Sequence, residues 1–343
     1  MKMNMAAAIA IATALLCLST ALEAHALASA SNDAATLSSS SSTSTSTTTS
    51  SSKILRSSRD YHLLEVVPHD TSSFTQGLTY FDGHIYEGTG LEQQSSLLQH
   101  DPSSQMKTLQ KLPLTPAHLF GEGISHYYVY KTSMDGTRTK EHRLIQLTWK
   151  DKVGKIYSLP DMEPIKEFTY ETVTGEGWGI TFVEHTREFY VSDGSAYLMV
   201  WDADTLEEKR RIVVTFDMGE KTEQVRYINE LEFVDLGSNG DGVGDTDGQC
   251  AEKDGTCSEP MFTPTMKILA NVWYQDVIVS IDPITGKISK GYDMRDIYPF
   301  EQRQADGADC LNGISVTGGG VSQREVWVTG KLWPNMYRIK LID

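Results

Sequence analysis

FTQGL (Phe74–Leu78), FGEGI (Phe120–Ile124), GEGWGI (Gly175–Ile180), INELEF (Ile228–Phe233) and CLNGIS (Cys310–Ser315) are five versions of one phrase. In each, a small polar or charged cluster, usually ending in Gly, runs straight into an apolar strand. The phrase marks repeats of roughly 45 to 55 residues, two of the repeats being stretched by loops, and that period signals a radial β array. In a propeller the equivalent positions of successive blades converge on one axis. Gln76, Glu122, Trp178, Asn229 with Glu230, and Asn312 stand at the middle of the five copies, so they are expected to meet at one pocket.

The sequence between the copies supports an all-β fold. LTYFDGHIYEGTG reads as strand, tight turn at Asp82-Gly83, strand. REFYVSDGSAYLMVWDADTLEEKRRIVV gives three strands, and MKILANVWYQDVIVSIDPITGKISKGYDM and EVWVTGKLWPNMYRIKLI keep the same cadence. VWDADTLEE and SIDPITGK correspond, each falling between a third and a fourth strand. The reading is a five-bladed β-propeller with blades at 64–112, 113–172, 173–225, 226–298 and 299–341. Tyr61–Pro68 is a candidate closing strand for the last blade, which would remove exposed edges.

The remainder of the 343 residues falls outside this pattern. Residues 1–30 carry Lys2, an apolar run from Ala6 to Leu22 and small residues with Ala-x-Ala steps, the layout of a signal peptide, with an uncleaved anchor as the alternative. Residues 31–60 hold the Ser/Thr tract Ser38–Ser52, too poor in apolar surface to fold, and read as a disordered linker. The propeller domain is then 61–343, with a loop insertion at 235–260. The expected location is the secretory route: secreted, or within the ER, Golgi or vacuole lumen, or membrane-anchored if the leader stays. Cys250 and Cys257 are placed for a local disulfide in that compartment, and Cys310 is left as a buried thiol. Within the insertion, Asn239, Asp241, Asp245 and Asp247 resemble an incomplete calcium loop that lacks the terminal carboxylate, so a structural calcium stands beside a solvated acidic loop. A net charge of −16 argues against nucleic acid as a partner. No Cys/His spacing is that of a zinc site. A closed propeller is expected to be a monomer.

Glu122 is the first candidate for chemistry. It sits between glycines that let another group approach closely, and Phe120 beside it supplies an apolar wall that would raise a carboxyl pKa towards neutrality. Among the Trp residues, Trp201 and Trp327 lie in apolar strands and read as blade core. Trp149, Trp178, Trp273 and Trp333 lie at polar strand ends and read as walls of a small-ligand pocket, with Asn271 and Lys331 as polar partners.

FTQGL, YEGTGL, FGEGI, QLTWK, GWGI, SDGS, NELEF, ANVWYQDVIVSIDPITG, LNGIS and TGKLWP stand in the order found in the plant-type glutaminyl-peptide cyclotransferases, and the chain resembles that family over Leu64 to Leu341. The resemblance implies a five-bladed propeller that converts N-terminal Gln of peptides or proteins to pyroglutamate with release of ammonia. It implies a transferase without a catalytic metal and with no cofactor. By motif, it makes Glu122 the acid/base, Asn229 and Lys331 further catalytic groups, and Phe74, Gln76, Phe120, Trp149, Trp178 and Trp273 the substrate-binding set. The departures are EGTGLEQQSS, where relatives commonly show ESTGLYGxSS followed by Arg, and the 235–260 insertion. A non-catalytic propeller binding peptide or glycan at the channel mouth is the alternative, and a calcium-dependent propeller hydrolase is a third reading.

Overall fold

Strand pairing follows the hairpin pattern of the sequence. The computed structural model describes residues 54–237, 262–318 and 323–342. Blade one pairs Thr75–Phe81, His84–Thr89, Ser96–Asp101 and Lys107–Pro113 in order; blade two pairs Gly121–Thr132, Arg138–Thr148, Val153–Ser158 and Pro164–Thr169. Blade three is Ile180–Val183, Glu188–Val191, Tyr197–Asp202 and Glu208–Val213, and blade four is Ile228–Asp235, Met266–Val272, Val277–Ile281 and Ile288–Asp293. Blade five begins with Leu311–Val316, Glu325–Gly330 and Asn335–Leu341. The first strand of each blade is innermost. It touches the first strands on both sides, and the fifth returns to the first. Asp82 and Gly83 both take positive φ, as the two-residue turn between the first hairpin's strands requires.

The ring is closed by the N-terminal segment. Tyr61–Pro68 pairs antiparallel with Asn335–Leu341, and Arg56–Ser57 adds a fifth strand outside it. Residues 64–68 therefore belong to blade five, not blade one. The ordered fold also reaches back to residue 54, into the stretch read as linker, where the Leu55 N–H donates to Leu63 O (2.8 Å). The leader, the Ser/Thr tract, the Cys250–Cys257 pair and the calcium-like residues lie outside the described residues. Cys310 is a buried free thiol, as expected.

Five apolar clusters fill the five interfaces between neighbouring blades. Val67, Leu78, Trp327 and Met336 lie between blades five and one, and Tyr86, Ile124, Leu144 and Tyr157 between one and two. The remaining clusters lie between two and three, three and four, and four and five. The core is thus radial, and the axis is left to polar groups and glycine.

The repeated phrase shapes that axis level by level. The register shifts by one or more residues at Thr75/Gly77, Gly121/Ile124, Ile228/Leu231 and Leu311/Ile314, so the phrases of blades one, two, four and five carry a bulge that re-aims their middle residues, while the first hairpin of blade three pairs without a shift. Next come Gly77, Gly123, Gly179 and Gly313, with Glu230 in the fourth blade. A Cβ on Gly179 would stand 2.1 Å from Asn229 O, and one on Gly77 2.7 Å from Ile124 N. Adjacent inner strands therefore meet backbone to backbone here. Glu230 fills the centre that the glycines leave. Its Oε1 accepts the Leu78 N–H (3.3 Å) and its Oε2 the Ile314 N–H (2.9 Å), tying blade four to blades one and five. Two residues further on, side-chain oxygens of blades one to four accept a backbone N–H of the next blade: Thr79 from His126 (3.1 Å), Ser125 from Phe182 (3.0 Å), Thr181 from Phe233 (2.9 Å) and Glu232 from Val316 (2.9 Å). Burial keeps protons on both acidic groups. It raises Glu230 well above the carboxylate range, with Glu232 adding repulsion, and pushes Glu232 up to about 8.

Candidate active site

The site lies at the end of the channel where the five phrases begin. Gln76, Glu122, Asn229 and Asn312 are 3, 4, 3 and 0 % exposed, and Trp178 of blade three is half-buried at the same level. The Asn312 Nδ2 donates to Thr75 O (3.0 Å) and to Gln76 Oε1 (3.3 Å), which fixes the Gln76 amide. Asn271 Oδ1 accepts the Gly313 N–H (2.9 Å) beneath it, which fixes that strand start.

A second set comes from the residue that follows the second strand of each blade. Backbone hydrogen bonds put Gly90, Trp149, Trp273 and Lys331 in equivalent places, opposite Phe74, Phe120, Tyr227 and Cys310 (2.8, 3.0, 2.9 and 3.0 Å). Gly90 is the small member for a reason: a Cβ there would lie 2.4 Å from the Phe120 ring. Lys331 is buried, and its Nζ stands 4.8 Å from the centroid of the Phe74 ring, a cation–π contact. Its backbone is pinned, with its O accepting the Asp309 N–H (2.9 Å) and the next residue, Leu332, turning at φ +61° to donate to Ser73 O (2.8 Å).

The aromatic residues form an arc around these polar groups. Phe74 meets Phe120 edge-on at 6.1 Å between centroids, Phe120 meets Trp149 at 5.5 Å, and Trp178 meets Trp273 at 5.4 Å. All five rings are half-buried, as a pocket wall should be. The gap in the arc, between Trp149 and Trp178, is spanned by Glu176, whose Oε2 accepts both indole N–H groups (2.8 and 3.0 Å). Sequence reasoning missed Glu176. The signal was present: in the repeat it holds the place of Phe74, Phe120 and Tyr227.

One expected wall is absent from the arc. Trp333 is buried at 1 % exposure in the core between blades four and five, edge-on to Tyr298 at 5.2 Å, with its Nε1 donating to Asp309 O (2.9 Å). Gly330 makes the room, since a Cβ there would stand 2.2 Å from the Trp333 ring. The turn at Leu332 sends Lys331 towards the site and Trp333 away from it.

Glu122 is the electrostatic centre. No hydrogen bond from a described residue reaches its carboxyl. Burial raises its pKa well above the usual value; Lys331 opposes the rise and Glu176 adds to it. An acid that holds its proton near neutrality can give and take protons within a reaction. Cys310 is no rival nucleophile, because burial pushes its thiol up to about 11. Among the described residues no three His, Cys, Asp or Glu side chains gather as a metal-binding group.

A buried acid and a buried cation inside an aromatic arc, at one mouth of a propeller, make a site suited to a small polar group held away from water. The comparisons agree with that reading. The sequence profile of the glutamine cyclotransferase family matches residues 34–239 and 261–341, and the chain belongs to that family. It is 29 % identical over 305 residues to the glutaminyl-peptide cyclotransferase of Arabidopsis thaliana, covering 85 % of this chain and 75 % of that protein. The crystal structure of Myxococcus xanthus glutaminyl cyclase superposes with a TM-score of 0.57 at 26 % identity, over 82 % of this chain and 97 % of the other.

Proposed function

We propose that this chain is a glutaminyl-peptide cyclotransferase, acting on peptides or proteins with N-terminal Gln, with Glu122 as its general acid and base. The observation that carries the reading is the carboxyl of Glu122, buried, proton-retaining and flanked by Lys331 inside the aromatic arc. Family membership and the names of the relatives support the activity; the residue roles are argued from the geometry.

The α-amine of the substrate attacks its own γ-carboxamide carbon. Both groups belong to one residue, so the protein gains chiefly by holding the rotamer in which they meet. The arc from Phe74 to Trp273 supplies rigid walls for that, and Gln76, itself fixed by Asn312, offers its amide to the substrate backbone. The amine attacks as the neutral species, which its ordinary pKa of about 8 makes accessible. As the C–N bond forms, charge develops on the carbonyl oxygen, and Lys331 and Asn229 donate to it. Protonated Glu122 gives its proton to the departing nitrogen, the C–NH₂ bond breaks, and ammonia leaves. The ring nitrogen returns a proton to the carboxylate, restoring the starting state.

On this reading the reaction runs without a metal, the protein acts as a monomer, and residues 1–30 direct it to the secretory route. The test is ammonia release from Gln-initiated dipeptides by the mature protein, with and without chelator, confirmed by a mass loss of one ammonia. Turnover unchanged by chelator is expected. No turnover from folded protein would overturn the reading in favour of a binding propeller, and loss only with chelator would overturn its metal-free form.

A further inference from the structure

We propose that Glu176 is a positioning residue of this site: its carboxylate locks the indoles of Trp149 and Trp178, from two blades, into one wall and brings a negative charge to the site that holds Glu122. The inference rests on the function proposed above.

Three observations converge. First, Glu176 stands where the repeat otherwise places Phe74, Phe120 and Tyr227, so blade three has a charged group in a position given to aromatic rings on three of the other four blades. Second, a single oxygen, Oε2, accepts both indole N–H groups, at 2.8 Å from Trp149 and 3.0 Å from Trp178. Trp149 follows the second strand of blade two and Trp178 precedes the first of blade three, so this acceptor joins neighbouring blades across the pocket rim. Third, the acceptor is itself held. Glu176 O accepts Thr172 Oγ1 (2.7 Å), Thr174 Oγ1 accepts the Glu176 N–H (3.3 Å), and Thr174 is fastened to Asp193 through its N–H and its hydroxyl (both 2.8 Å). Behind Trp178, Gly194 at φ +77° leaves the space the ring occupies, since a Cβ would lie 2.6 Å from it. The other oxygen, Oε1, lies 3.8 Å from Lys150 Nζ, which sits 3.7 Å over the Trp149 ring.

The chemistry explains why a carboxylate is used. An indole N–H facing a pocket wall needs an acceptor once water is displaced, and an ionised carboxylate makes the stronger bond and can take two donors. A neutral amide oxygen could accept from the same rings but would carry no charge. The charge matters because Glu176 is one of the groups that raise the proton affinity of Glu122. Lys331 also acts on Glu122, lowering its proton affinity, so the two residues act on it with opposite sign.

Glu176→Gln and Glu176→Ala, in the mature protein, separate the two roles. The readouts are tryptophan emission of the ligand-free protein and kcat/KM for a Gln-initiated dipeptide across pH. For Glu176→Ala, red-shifted emission and at least a tenfold loss of kcat/KM are expected. For Glu176→Gln, emission close to wild type is expected, with the limb of the pH profile on which activity falls with Glu122 deprotonation moved to lower pH. Emission unchanged in Glu176→Ala, kcat/KM within twofold of wild type in that variant, or a Glu176→Gln profile superposing on wild type would each overturn the proposal. Should Glu176→Ala not fold, the Glu176→Gln profile decides it. A wild-type protein without turnover would refute the function itself, while the emission arm would still show whether Glu176 holds the rings.

Discussion

Replacing Glu122 by Gln keeps the volume and shape of the side chain and removes its exchangeable proton. Two consequences follow, with opposite signs. The first is catalytic. General acid–base transfer is worth about 10²–10⁴-fold, so kcat should fall by that factor, roughly 3–5 kcal/mol of barrier. The second is a gain in stability. The folded-state pKa of Glu122 lies above its ordinary value of 4.5, so between that pH and the folded pKa the native protein binds more protons than the unfolded chain. Wild-type stability therefore falls as pH rises through this window, by up to about 1.4 kcal/mol per pH unit from this group. Glu122→Gln lacks that fall, while Glu230 and Glu232, buried in both proteins, cancel in the comparison. The difference in unfolding free energy, variant minus wild type, should thus increase from pH 5 to pH 8. The assays are steady-state ammonia release and urea unfolding at the two pH values. A kcat within threefold of wild type would refute the acid/base role, and a stability difference that stays flat with pH would refute the raised pKa.

Lys331→Met removes the proposed oxyanion donor; such donors are worth about 3 kcal/mol, so kcat should drop on the order of 10²-fold. It also removes the cation that opposes the rise in Glu122, so the limb of the pH–rate profile governed by Glu122 should move to higher pH, opposite to Glu176→Gln. Gly179→Ala puts a methyl 2.1 Å from the Asn229 carbonyl of the next blade and should cost about 1–3 kcal/mol, read as a lower thermal midpoint. Gly291→Ala meets only a Val277 methyl at 3.4 Å and serves as the tolerated control. Glu87 is buried against His69 Nε2 and His100 Nε2, both at 3.0 Å, and Thr75 Oγ1 at 2.6 Å. Burial opposes charge on Glu87 and on His69, yet their attraction outweighs it, holding the Glu87 carboxyl below its usual range and raising His69. The stabilisation from this pair is fully present between the ordinary values of 4.5 and 6.5, lost in acid as Glu87 protonates and lost above as His69 deprotonates. Glu87→Gln should cost about 3–5 kcal/mol by leaving buried His69 without its counter-charge, and the unfolding midpoint at pH 6 measures it.

Much of the site was legible because the information is local and repeated. The phrase around each of Gln76, Glu122, Trp178, Asn229 and Asn312 contains its own polar middle and apolar anchor, so alignment of the copies alone puts these residues at one level. The hairpin turns and the correspondence of VWDADTLEE with SIDPITGK were readable for the same reason. The errors came where neighbours in sequence part company in space. In TGKLWP, Lys331 and Trp333 are two apart and would share a face of an extended strand. The positive φ of Leu332 separates them, and the space beside Gly330 draws the indole into the core.

Blade count, inner strands and middle residues can be read from the chain alone, because periodic polar-glycine-apolar phrases specify strand starts without reference to distant contacts. Closure of the ring decided the rest. Pairing of Tyr61–Pro68 with Asn335–Leu341 moves the N-terminal strand to the last blade, and the narrow axis it creates gives Glu230 two backbone donors from blades one and five. Packing of blade two against blade three brings Trp149 and Trp178 to one oxygen of Glu176, and closure brings Lys331 of blade five within the field of Glu122. A hydrogen-bond partner or a shifted proton affinity depends on distances between blades and on the exclusion of water, and neither exists until the five blades are packed.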